Sequence, residues 1–293
     1  MPAFLTSDQI DDWNRDGVLV LPRFAAPDAI AALRARAQAL VDAFEPAVGG
    51  SAVFSSRDRD RLAQRALADS AGAVRCFLEE EAVDDQGRLL VPKARAVNKI
   101  GHALHDRDPV FDRFSRDPRL AALVADLGVA DPRLVQSMLI FKQPRIGGEV
   151  MWHQDASFLI TEPSSVLGLW FALEDASCDN GCLWVAPGAH RGPQGVLRER
   201  FQRRDDGAGF EMVRLDDTPW PQGAQTRALE VQAGALVVFH GHLPHASAPN
   251  RSSQSRLAYT LHVVDGRARW APGNWLQRDA SDPPRGFHDT GPN

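Results

Sequence analysis

His153 and Asp155 stand one residue apart in the stretch Trp152-His153-Gln154-Asp155. On an extended segment successive side chains alternate between two faces. The imidazole and the carboxylate therefore share one face, and Gln154 takes the other. A ring nitrogen and a carboxylate oxygen together are donors for a divalent metal, although the same pair also suits the polar edge of an ordinary strand. Two ligands from one strand need a third from elsewhere. The chain has nine histidines, and three of them, His240, His242 and His245, fall in FHGHLPHAS (239–247), at the end of an apolar run.

A His–Asp–His set that leaves metal positions open is the arrangement used by non-haem Fe(II) oxygenases. A second feature adds to it. Arg256 lies eleven residues after His245 and heads the apolar segment RLAYTLHVV (256–264). An arginine withdrawn from water at a strand start needs an anion. Its planar fork suits the carboxylate of a bound diacid, to which the Ser247 hydroxyl can add a hydrogen bond. An aspartate or glutamate of the chain itself would serve equally. Cys178 and Cys182 flank Asp179-Asn180-Gly181, but two thiols do not complete a zinc site, and Asp-Asn-Gly reads as a tight turn.

These residues need elements to hold them. Ser7 can cap a short helix that Gly17 ends, and GVLVLPRF (17–24) reads as a buried strand. Pro27-Asp28 opens a helix with Ile30, Leu33, Ala37, Leu40, Val41 and Phe44 at helical spacing, broken by Gly49-Gly50-Ser51. Helical patterns follow at about 60–81 and at 108–128. From about residue 133 the texture changes to short apolar runs between turns: 134–144, 166–173, 181–187, 234–241 and 256–264. The expected fold is mainly β with flanking helices, a jelly-roll or cupin-like core at about 131–266 behind a helical front at about 1–130. The front helices need the β half to bury their apolar stripes, so 1–293 is expected to form one domain.

Bulk properties exclude several classes. The net charge is −5 and the pI about 6.0, which gives no basic footprint for nucleic acid. The densest basic run, Arg198, Arg200, Arg203 and Arg204, is followed by Asp205 and Asp206 and is expected to be a solvated face. No secretory leader and no membrane-length apolar run is visible, and the cysteine count is three, so a cytoplasmic location is expected.

The joint pattern His153-Gln154-Asp155, His245-Ala246-Ser247 and Arg256 resembles the phytanoyl-CoA dioxygenase family of Fe(II)/2-oxoglutarate oxygenases. NKIGHALHDRDPVF (98–111), VQSMLIFKQPRIGGEVMWHQDASFL (135–159), LGLWFALEDASCDNGCLWVAPGAHRG (167–192) and PGNWLQ (272–277) carry the same resemblance. It covers nearly the whole chain and is weakest at about 45–75 and 193–230. It implies a double-stranded β-helix core, and Fe(II) held by His153, Asp155 and His245, with His245 singled out over His240 and His242. It further implies 2-oxoglutarate as co-substrate, its far carboxylate on Arg256 and Ser247, with Lys99, Trp170, Met138 and Gln136 about the same cavity. Core packing remains an alternative for Trp170 and Met138, and a surface position for Lys99. His102 and His105 are candidates for the substrate side.

The implied reaction consumes O2, forms succinate and CO2, and hydroxylates a small organic or lipid-derived substrate. The chain keeps the carboxylate ligand that related halogenases lack, which favours hydroxylation. No nucleic-acid or membrane partner is implied. Two other readings use the same triad. A metal-dependent hydrolase would give Arg256 no task, and a catalytically silent cupin-type binding module would be expected to have lost a ligand.

Overall fold

The strand Arg256–Asp265 is buried along its whole length, which requires cover on both faces. Its alternation shows what the cover is. Leu257, Tyr259 and Leu261 join an apolar cluster with Leu169 and Phe171 and with helix residues Ile30, Leu33, Ala37, Phe111, Leu120 and Leu123. Ala258 turns the other way, into a cluster with Trp170, Val237, Phe239, Leu183, Val185 and Leu229. Helices thus lie against one side of this sheet, and a second sheet faces the other.

The computed structural model describes residues 2–46, 53–54, 61–207 and 209–289. The major sheet has eight strands in the order Val18–Leu21, Leu236–His240, Leu167–Ala172, Arg256–Asp265, Pro132–Lys142, Val97–His102, Val74–Glu79 and Val53–Phe54. All neighbours are antiparallel except the final pair. The minor sheet runs Arg227–Leu229, Leu183–Val185, His245–Ser247 and Val150–His153. Strands distant in sequence are neighbours in both sheets, as in a double-stranded β-helix.

The expected helix at 27–44 forms as Pro27–Ala43, with proline in its first turn and Ile30, Leu33, Ala37 and Val41 buried. The first helix, Ser7–Asp16, is capped by Thr6 and not by Ser7: Thr6 and Gln9 exchange side-chain and backbone hydrogen bonds. The break expected at Gly49-Gly50-Ser51 lies outside the described residues. The front is less helical than expected, since residues before 131 supply four of the eight major strands. The pattern at 60–81 splits into the helix Arg61–Asp69 and the strand Val74–Glu79. Tertiary pairing overrides local periodicity here, because Val97–His102 needs a partner on its open edge.

The basic run at 198–204 is a solvated face only in part: Arg203 and Arg204 are exposed and Arg200 is half-buried, but Arg198 turns inward. Arg198 is fully buried and donates to the carbonyls of Gln194, Val196, Thr218 and Pro219, and Arg203 donates to those of Asn274 and Trp275. The chain after the jelly roll packs back onto it. Asn274 is fully buried and exchanges two hydrogen bonds with the backbone of Ile160, at 2.7 and 2.8 Å. Asp106, nearly inaccessible, pairs with Arg116, Arg278 and Arg285. Burial by itself would raise the Asp106 pKa, but His105 and the surrounding guanidinium groups outweigh it and hold the carboxyl below the usual range.

Candidate active site

His153 ends one strand of the minor sheet, His245 begins its neighbour, and the two pair directly in register. Their rings are 4.1 Å apart between centroids. The strand stops at His153, but Gln154 stays extended (φ −125°, ψ 132°), so alternation carries Asp155 to the histidines' side before a 3-10 turn begins. Asp155 Oδ1 lies 3.8 Å from His153 Nε2 and 3.6 Å from His245 Nε2. One ligand atom from each of the three residues falls within 4.8 Å of the others.

The donor atoms are prepared for a cation. His153 Nδ1 lies 2.8 Å from the Met151 carbonyl, and His245 Nδ1 lies 3.0 Å from the Leu243 carbonyl. A carbonyl only accepts, so each Nδ1 carries the proton and each Nε2 presents a lone pair. Burial, with His245 beside it, pushes His153 down to about 3 and keeps it neutral. Burial works against the Asp155 carboxylate, but the His262 and His245 imidazoles outweigh it and hold the group below the usual carboxylate range. Two imidazole nitrogens and one carboxylate suit a borderline divalent ion such as Fe(II).

Gln154 points away, as alternation requires. It is fully buried, its amide donates to the carbonyls of Val196 (3.0 Å) and His242 (2.9 Å), and its Oε1 accepts from Arg198 N (3.2 Å). Gln154→Ala is therefore expected to leave metal affinity unchanged while lowering stability by at least about 1–3 kcal/mol, the usual cost of stranding a buried polar group. Parallel metal titration and denaturant unfolding check both halves.

Arg256 and its neighbours form a second cluster on the interior face of the major sheet. Arg256 is 1% exposed; its Nε donates to the Gly181 carbonyl at 3.1 Å, and its guanidinium lies over Trp170, 5.6 Å from the ring centroid. Ser247 Oγ donates to the same Gly181 carbonyl at 2.9 Å and lies 3.5 Å from Arg256 Nη2. Gly181 adopts φ +89°, and a Cβ there would sit 2.8 Å from the Ala248 carbonyl, so the Asn180-Gly181 turn accepts only glycine at this point. Among the described residues no carboxylate forms an ion pair with Arg256; its hydrogen-bond partners are two carbonyls and a hydroxyl. Burial pushes Arg256 down only to about 10, so it stays charged at neutral pH.

The strand register brings other expected residues to the same interior. Met138, Thr260 and Trp170 form one cross-strand row, and Gln136 and His262 the next. Lys99 pairs with Ile140 in the row beside Met138; it is half-buried, not a surface cation, and burial lowers it to about 7 against the pull of Glu79. His102 also faces this side, against Phe77 and Trp275, with its Nδ1 2.7 Å from Ser70 Oγ. His105 does not. It is fully buried, with its Nδ1 2.7 Å from Ser137 Oγ, and Ser137 alternates away from Gln136 and Met138.

Two residues escaped the sequence reading. Lys142, buried beside Arg256, donates to the carbonyls of Gly148, Ser247 and Ala248, and staples the Ser247 segment in place. His262 sits against Asp155, with its Nε2 3.1 Å from Oδ2. The signal was present: His262 is six residues beyond Arg256 on one strand, an even number, and so shares its face.

The weakly matching segment after Gly192 includes a hairpin, Glu199–Arg203 with Phe210–Arg214. Its Phe201 packs on Phe158 (5.6 Å between centroids), Phe210 and Trp275, and Phe158 in turn meets the His153 ring edge at 5.9 Å. An aromatic wall thus stands beside the histidine with the greatest exposure in the triad, whose side chain is 22% accessible.

Known proteins resemble this chain in sequence and in fold. The family model described as phytanoyl-CoA dioxygenase (PhyH) matches residues 13–258. A protein named phytanoyl-CoA dioxygenase from Arabidopsis thaliana is 43% identical over 277 residues, 94% of each chain. The Mus musculus phytanoyl-CoA dioxygenase domain-containing protein 1 is 40% identical over 281 residues, 94% of this chain and 96% of the relative. In fold, the chain is similar to EctD from S. alaskensis, solved with 2-oxoglutarate and 5-hydroxyectoine, with a TM-score of 0.61 and 19% identity over 99% of this chain and 86% of the other. The chain belongs to the phytanoyl-CoA dioxygenase family and is a 2-oxoglutarate-dependent non-haem iron dioxygenase, with Fe(II) and 2-oxoglutarate as its cofactors.

Proposed function

We propose that His153, Asp155 and His245 hold the iron and that Arg256 with Ser247 grips the far carboxylate of 2-oxoglutarate. The substrate we assign is a small organic or lipid-derived molecule, which is hydroxylated. The observation that supports this most is the buried Arg256 guanidinium, charged and without a carboxylate partner among the described residues, on the interior face beside the triad. A metal-dependent hydrolase would leave that cation without a task.

Fe(II) and 2-oxoglutarate supply, with O2, the oxidising power, and succinate and CO2 are formed. The chain's own residues bind, orient and exclude. His153 and His245 offer Nε2 lone pairs fixed by their Nδ1 contacts, and Asp155 adds the charge that binds a cation. Trp170 forms a wall under the guanidinium, so a carboxylate there is held in a nearly dry slot where a charged hydrogen bond is strong. Lys99, Met138 and Gln136 line the same interior and shape what lies over the metal side. Phe158, Phe201 and Trp275 shield the approach from water, which favours a substrate with apolar surface.

Several further assignments rest on the same reading. Arg198 is buried and donates to backbone carbonyls, and Arg203 donates to those of Asn274 and Trp275, so neither supports a site for the phosphates of a coenzyme A thioester. Interleaving of front strands and core strands in one sheet supports a single cooperative domain over 1–293. The free cysteines Cys76, Cys178 and Cys182 support a reducing, cytoplasmic setting. No helix among the described residues is long and apolar enough to cross a membrane.

The experiment is a turnover assay. Anaerobically purified protein is given Fe(II), 2-oxoglutarate, a pool of small organic and lipid-derived acids, and air. Succinate should form in a substrate-stimulated manner, with a product heavier by one oxygen, and neither should appear without O2. Succinate no greater than in a His153→Ala control, across the whole pool, would overturn the reading.

A further inference from the structure

The two oxygens of Asp155 have different neighbours. Oδ1 is the one nearest His153 and His245, 3.8 and 3.6 Å from their Nε2 atoms. Oδ2 lies 3.1 Å from Nε2 of His262. We propose that His262 is a positioning residue: it donates an Nε2–H hydrogen bond to Oδ2 and so presents Asp155 to the metal through Oδ1 alone. The inference rests on the triad reading above and adds a fourth residue to it.

The physical argument starts from coordination number. A carboxylate can bind a cation through one oxygen or through both. In a site that must also accept a two-point co-substrate and O2, a second carboxylate oxygen would take a position needed for reaction. A hydrogen bond from a fixed donor to one oxygen removes that option and fixes the carboxylate's rotation. His262 is well placed to be such a donor. It is 4% exposed, and it sits on a strand paired on both sides, opposite Gln136 and Gly168.

The tautomer follows from chemistry. An ionised carboxylate only accepts, so Nε2 carries the proton. Nδ1 is then a bare acceptor, and it is buried without a hydrogen-bond partner among the described residues. Placing an imidazole out of water with one nitrogen unpaired costs free energy that a leucine of similar volume would not. The hydrogen bond to Asp155 is the compensation the structure shows for it.

The test compares two variants by metal titration. His262→Gln carries an amide nitrogen close to the position of Nε2 and retains the donor. His262→Leu fills the space and removes it. Fe(II), or Co(II) under air, is titrated into each purified full-length apoprotein, and the visible Co(II) absorption is recorded. Outer-shell partners of metal ligands are worth about 10- to 100-fold in affinity, so the leucine variant should bind that much more weakly, with altered Co(II) bands, and glutamine should restore most of both. Should the leucine variant not fold, His262→Asn, polar but too short to reach Oδ2, carries the same expectation. Leucine within about twofold of wild type, or glutamine as weak as leucine, would overturn the role of His262. A wild-type protein that binds no metal would instead overturn the triad reading, and this inference with it.

Discussion

Asp155→Ala is expected to abolish substrate-dependent succinate formation and to weaken Fe(II) binding by more than about 100-fold, beyond the range seen when mere outer-shell partners are lost. The reason is local charge. Asp155 Oδ1 is the anionic donor of the three, 3.6 Å from His245 Nε2 and 3.8 Å from His153 Nε2. Without it, a divalent ion would meet two imidazole nitrogens in a buried site and keep its full desolvation cost. The variant also strands His262, whose Nε2–H would lose its acceptor. Anaerobic Fe(II) titration and a succinate assay read the two effects separately. Turnover within about tenfold of wild type, a change of roughly 1.4 kcal/mol, would remove Asp155 from the metal set.

Arg256→Ala is expected to act on the co-substrate and spare the metal. Truncating one member of a buried, hydrogen-bonded charge pair costs about 2–5 kcal/mol, which corresponds to a rise of roughly 30-fold or more in KM for 2-oxoglutarate. Fe(II) affinity should stay near wild type, because no triad atom hydrogen-bonds to the guanidinium; its contacts are the Gly181 and Ile140 carbonyls and Ser247 Oγ. Arg256→Lys should recover little, since an ammonium lacks the planar fork that meets a carboxylate with two parallel bonds. Steady-state kinetics at saturating iron give the answer, and an unchanged KM would reassign the arginine to a structural role.

The amino-acid sequence by itself determined the elements and one ligand pair. Alternation placed His153 and Asp155 on one face, and the run of short apolar segments from about residue 133 announced the sheet strands, with Leu167–Ala172, Leu236–His240 and Arg256–Asp265 forming where expected. Both are local properties: side-chain direction has period two, and a strand buried on both faces is mostly apolar. Choosing His245 over His240 and His242 took the family resemblance, and the structure shows what separates them. His245 pairs with His153 in the minor sheet, His240 closes a major-sheet strand, and His242 hydrogen-bonds Gly195 and Ser164 outside the triad.

Tertiary structure alone decided the rest. The strand Val74–Glu79 exists because a neighbouring edge needs hydrogen bonds, and no local pattern at 60–81 announces it. Arg198 looks like a surface cation in the chain and becomes the most enclosed arginine of its run only when five surrounding acceptors close on it. His105 and His102 lie three apart in sequence, yet one faces Ser137 on the helix side and the other Trp275 on the cavity side. The absence of an internal carboxylate on Arg256 and the hydrogen bond from His262 to Asp155 likewise depend on register across strands more than a hundred residues apart in sequence. Hydrogen-bond partners and electrostatic neighbours are set by distances of a few ångströms, and those distances come into being only when the two sheets close on one another.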